Sequence, residues 1–171
     1  MDLDSVADEL YGLRPQEFTA ARDARVAAAR TDGRRGLADE IRRLRRPSLS
    51  AWAGNILVRA RRDEVGPLIE LGEALRAAHR DLDGPQLRAL GRQQHQLVTA
   101  LAGQAVRLAA DAGHPLGPDA RREVQETLRA VLADAEAARQ WASGRLTGPL
   151  VPSAGFPAAG TGAPAAAASP T

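Results

Sequence analysis

Apolar residues recur at intervals of three and four from about Asp4 to Leu146, and the β-branched and aromatic residues that a sheet needs are too few to build one. Only 3% of the chain is aromatic, so the core has to come mainly from leucine, valine and alanine on helix faces. The expected fold is all-α, a multi-helix bundle. A chain of 171 residues suits one ordinary domain and can bury a core without disulfide or metal staples.

Glycine and proline set the breaks. A short first helix should end near Tyr11-Gly12, and a second should start at Arg14-Pro15, carry Phe18, Ala21, Arg25 and Ala28 along one side, and stop at Gly33. A third is expected from Gly36 to Arg46, with Leu37, Ile41 and Leu44 inward and Pro47 as its terminator. Ser48 then N-caps a fourth, whose apolar stripe is Leu49, Trp52, Ala53, Ile56 and Ala60. A fifth helix over 65–82 and a long sixth over 85–112 flank the turn Asp81-Leu82-Asp83-Gly84-Pro85 and form an antiparallel αα-hairpin. Its seam should set Leu68, Leu71, Leu75 and Leu82 against Leu87, Leu90, Leu97, Leu101 and Leu108. Two further helices are expected over 119–132 and 134–143.

The helical domain spans residues 1–146. From Thr147 the chain carries no charge and is rich in proline, glycine and alanine, a composition that buries too little surface to offset its ordering entropy. Residues 147–171 therefore form a tail, with disorder expected beyond about Phe156, while Leu150, Val151 and Phe156 have the apolar character to dock on the body.

With no cysteine, the chain has no disulfide, no thiolate chemistry and no zinc-finger or iron–sulfur ligation. The acidic start lacks the features of a signal peptide, and no run approaches the ~20 apolar residues of a membrane span. A soluble, cytoplasmic protein with no membrane association is the expectation.

Charge is distributed unevenly. All 23 basic residues are arginine, and ten of them fall between Arg30 and Arg62 against three acids, a local charge of +7 in a chain whose net charge is +2. On the expected third helix Arg35, Arg42 and Arg46 fall on an outward stripe bordered by Arg45, and Arg59 and Arg62 continue the basic run beyond Asn55 on the fourth. These residues, Arg35, Arg42, Arg45, Arg46, Asn55, Arg59 and Arg62, form the candidate partner-binding set. Asp39, four residues from both Arg35 and Arg43, offers a competing account in which local ion pairs absorb the charge. An interior Asn is a poor helix former, so Asn55 is expected to hold a hydrogen bond, with satisfaction of a neighbouring helix end as its plainest role.

No catalytic constellation accompanies the island. His79, His95 and His114 are too far apart to present two ligands from one helix, the serines lack a nucleophile-elbow pattern, and neither a Walker nor a Rossmann glycine spacing occurs. No enzyme activity, cofactor or metal is expected. The leading expectation is a helical protein that binds a protein partner through its Arg-rich N-terminal surface, and the alternative is backbone-dominated, sequence-nonspecific nucleic-acid binding by the same surface.

Three segments carry a resemblance: Leu10-Tyr11-Gly12-Leu13-Arg14-Pro15-Gln16-Glu17-Phe18-Thr19-Ala20-Ala21-Arg22-Asp23, then Leu44-Arg45-Arg46-Pro47-Ser48 with Ala51-Trp52-Ala53-Gly54-Asn55, then Ser143-Gly144-Arg145-Leu146. They resemble the LYxLPPxEFTAARD, LRKPTxAAWAVN and SGRL signature of an uncharacterised all-helical family of high-GC bacteria. The resemblance implies the helical fold and no particular activity. Gly54 stands where that signature has Val, which lowers helix propensity beside Trp52.

Overall fold

A computed structural model describes residues 1–151, which form eight α-helices: α1 Leu3–Leu10, α2 Pro15–Thr31, α3 Arg35–Arg42, α4 Leu49–Ala60, α5 Arg62–Arg80, α6 Gly84–Asp111, α7 Pro118–Ala133 and α8 Ala135–Ala142. The fold is all-α. The disorder expected beyond Phe156 concerns residues outside those described.

The helices bury two separate apolar clusters. The larger belongs to α4–α8 and holds Trp52, Leu57, Leu68, Leu101, Leu128, Leu132 and Trp141, all at most 2% exposed. The smaller belongs to α1–α3 and holds Val6, Leu10, Tyr11, Phe18, Val26 and Ile41, with the Tyr11 and Phe18 rings 5.1 Å apart. Among the described residues no helix of the first three packs closely along a helix of the last five. The N-terminal trio is thus a small cap with its own core, joined to the main bundle by the segment 43–48 and by polar contacts.

Capping follows local chemistry. Asp2, Ser48, Asp83 and Asp134 each accept a backbone N–H of the helix they precede, as short oxygen-bearing side chains do at N-caps. Glu17 receives the backbone N–H of Arg14 and so closes the start of α2, where Pro15 occupies the first helical position.

Several expectations need correction, among them Ala60, which is exposed at the end of α4 and lies outside its apolar stripe. The α2 face is rotated: Val26 and Ala29 are buried with Phe18 while Ala28 is exposed, because the helix packs on α1 and α3 through those positions. Helix α3 stops at Arg42, four residues short of Arg46. Pro47 disfavours helical backbone just before it, and the carbonyls of Leu44 and Arg45 are taken by side chains, Arg22 Nη1 at 3.1 Å and the Tyr11 hydroxyl at 2.9 Å. Leu82 is absent from the hairpin seam. It is 86% exposed with φ +53°, in the left-handed position that ends α5. Leu68, Leu71, Leu75, Leu90 and Leu101 do occupy the interior as expected, and Leu87, Leu97 and Leu108 are partly buried against it.

Helix α5 starts at Arg62, earlier than Val65, and holds Pro67 inside it. The proline removes one N–H from the ladder, and its exposed position lets water reach the carbonyl it leaves free.

Candidate functional site

The termination of α3 reshapes the basic surface. Arg35 and Arg42, seven residues apart, share one exposed face of α3, whereas Arg45 and Arg46 project from the segment that links α3 to α4. Arg35, Arg42, Arg43, Arg45 and Arg46 are all exposed, and none makes an ion pair among the described residues. Asp39 and Glu40 are exposed and unpaired as well, so the local pairing that the spacing offers is not formed. The backbone beneath these arginines is fixed, because Arg22 and Tyr11 hold the carbonyls of Leu44 and Arg45.

Asn55 leaves the candidate surface. It is completely buried, its Oδ1 accepts the backbone N–H of Leu146 at 2.7 Å and its Nδ2 donates to the Leu146 carbonyl at 3.0 Å. The side-chain amide thereby copies a strand partner for one residue of the C-terminal segment. Hydrogen bonds from Ser48 N–H to the Thr147 carbonyl at 2.9 Å and from Leu150 N–H to Thr127 Oγ1 at 3.0 Å extend the attachment along that segment. Leu150 packs partly buried against the main core, and Val151 is exposed. The chain is held to the bundle through Leu150.

Arg59 is likewise structural. It reaches Asp8 of α1 and the Gly144 carbonyl through Nη2, both at 3.2 Å, and lies against Gly12 and Gly144. A Cβ at Gly12 would stand 3.2 Å from Arg59 Nη1, and one at Gly144 would stand 3.4 Å from Arg59 Nε, so both glycines make room for this side chain. Arg145 adds an ion pair to Asp4 at 3.1 Å. Arg62 is exposed at the first turn of α5, on a different helix from the rest of the set.

The junction between the two cores therefore collects residues from all three motif segments: Tyr11 and Gly12, Arg45, Asn55, and Gly144 through Leu146. One more contact completes it. The Trp52 indole lies 5.3 Å from the His114 ring in an edge-on arrangement, and His114 Nε2 lies 2.6 Å from Gln16 Oε1 at the start of α2. No spacing rule joins Gln16 to His114. Gly113, at φ +89°, lets the chain turn after α6 so that His114 N–H returns to the Ala109 carbonyl and the ring faces Trp52.

No three His, Asp or Glu side chains converge as a metal site among the described residues, and no helix among them is long and apolar enough to cross a membrane. Compared with protein-family models, with curated proteins and with solved structures, the chain gives no match.

Proposed function

We propose that this chain is a non-enzymatic binding protein whose N-terminal cap presents Arg35, Arg42, Arg45 and Arg46, with Arg43 and Arg62 beside them, to an acidic segment of a partner protein. The observation that carries the reading is the division of labour among the arginines. Arg22, Arg25, Arg34, Arg59 and Arg145 are each engaged within the chain, whereas the five exposed arginines of residues 35–46 are left without carboxylate partners on a backbone that Tyr11 and Arg22 hold in place. A held backbone spares the cost of ordering the segment on binding, and guanidinium groups present planar pairs of donors suited to carboxylates.

The test replaces Arg42, Arg45 and Arg46 together with Gln and compares binding of a Glu-rich peptide, random duplex DNA and single-stranded RNA at rising salt. Wild type should bind the acidic peptide more tightly than either nucleic acid at physiological salt, and the triple variant should keep its melting temperature while losing most of that affinity. Tighter binding to DNA or RNA, with log affinity falling linearly in log salt, would transfer the surface to nucleic-acid backbones.

A further inference from the structure

We infer that a cleft between α5, α6 and α7, remote in sequence from the Arg35–Arg46 surface and independent of the reading given to it, is a binding site for a phosphate group, free or as the monoester of a small molecule. The cleft is a cavity of about 100 Å³ lined by Arg76 and His79 from α5, Gln94 from α6 and Arg129 from α7, over an apolar floor of Leu75 and Leu132. It is several times larger than the ~15 Å³ that one water needs, yet too small to enclose a nucleoside.

Its chemistry is one-sided. Two guanidinium groups, an imidazole and a carboxamide meet there, and no carboxylate lines the cavity. Of the nearby acids, Glu126, three residues before Arg129, pairs with Arg122 at 3.7 Å, Asp134 caps α8 through the Glu136 N–H, and Glu73, three residues before Arg76, is exposed and does not line the cavity. None of Arg76, His79 or Arg129 has an ion-pair partner among the described residues. Arg76, partly buried, and Arg129, exposed at the mouth, bring two guanidinium groups from two helices to one concavity, so an anion entering it would meet both.

The cleft is also built to hold one donor still. Gly72 allows α5 and α7 to approach so closely that an added Cβ would lie 3.0 Å from the Leu132 carbonyl oxygen and 3.1 Å from Leu132 Cα. At that approach Arg76 Nη1 donates to the Leu132 carbonyl at 2.9 Å, which anchors one corner of the guanidinium and leaves its remaining N–H groups for a ligand. Arg129, His79 and the Gln94 amide complete a set of donors suited to three phosphate oxygens, and Leu75 and Leu132 exclude water from one side, which strengthens those bonds.

Titration of the ¹⁵N-labelled chain with inorganic phosphate and with glycerol phosphate tests this, with chloride at matched ionic strength as control. Saturable shifts centred on Gly72, Gln94 and Ala133 are expected, and Arg129→Gln and His79→Gln should each weaken binding about tenfold while leaving the melting temperature within a few degrees. Equal affinity for the two ligands identifies free phosphate as sufficient, and tighter binding of the ester identifies a monoester ligand. Shifts that chloride reproduces, shifts centred on Arg35–Arg46, or variants that bind as wild type does would overturn the assignment. So would a fall of many degrees in melting temperature in Arg129→Gln without phosphate binding in wild type, since the cations would then serve the helix ends alone.

Discussion

Asn55 and Leu146, 91 residues apart, exchange two hydrogen bonds, with the carboxamide of one donating to and accepting from the main chain of the other. Both partners are buried, so neither half of the exchange can be replaced by water without rearrangement. Asn55→Ala leaves a buried N–H and a buried carbonyl unsatisfied and opens a cavity the size of an amide. The expected loss is ~2–4 kcal/mol, read by urea unfolding, and Asn55→Leu should recover little of it, because it restores volume without polarity. A loss under ~1 kcal/mol would mean that the 144–150 segment is not fastened through this residue.

Helix α5 offers a prediction in which two effects have opposite signs. Gly72→Ala gains up to ~1 kcal/mol in helix propensity, but its Cβ meets the Leu132 carbonyl and Cα, which are backbone atoms and cannot swing away. Separation of α5 from α7 should dominate and leave the variant ~1–3 kcal/mol less stable. Gly91→Ala in α6 meets nothing within 4 Å and should be more stable by ~0.5–1 kcal/mol. The ordering of the two melting temperatures around wild type checks the packing of α5 on α7.

The turn after α5 has the bond pattern that follows Gly33 and Gly113, with the Leu82 N–H reaching the His79 carbonyl and the Asp83 N–H reaching the Ala78 carbonyl. Here a leucine with φ +53° occupies the position where those turns have glycine. Its side chain is 86% exposed and contributes no packing to offset the strain. Leu82→Gly should therefore stabilise the chain by ~1 kcal/mol, raising the melting temperature by a few degrees. A destabilised variant would indicate that the Leu82 side chain is buried in solution.

The behaviour of Leu82 shows where sequence patterns stop being informative. Its spacing from Leu75 fits the seam, and only the reversal of the backbone at the helix end turns it outward. The number of helices and the Ser48 cap were legible because each depends on neighbouring residues. The end of α3 was not, since Tyr11 and Arg22, 34 and 22 residues away from the carbonyls they hold, fix the backbone there. Arg59 and Asn55 read as flank residues of a basic helix. Their partners, Asp8, Gly144 and Leu146, come from distant segments. The clustering of motif residues at the junction of the two cores could be anticipated only by asking which unrelated segments carry small or polar residues that need a partner.

The tyrosine that holds the Arg45 carbonyl gives a further prediction, and an isolated one. Burial pushes the Tyr11 hydroxyl above its ordinary value of 10.0, against the opposing pull of the Arg22 and Arg145 charges. A group whose pKa is raised on folding is bound to its proton more tightly in the folded state. Its contribution to stability is therefore complete below about pH 10 and declines as pH rises through the folded value. With no cysteine, no lysine and one tyrosine in the chain, no other side chain titrates in that window. Unfolding free energy should be flat from pH 8.5 to 9.5 and fall beyond ~10, in step with phenolate absorbance at about 295 nm. Tyr11→Phe should lose the bond to Arg45 at every pH, at a cost of ~1 kcal/mol, and should abolish the alkaline decline. If the decline persists in Tyr11→Phe, or if the wild-type phenol titrates at its ordinary value, then the ring is open to solvent and the segment bearing Arg45 and Arg46 is not anchored through it.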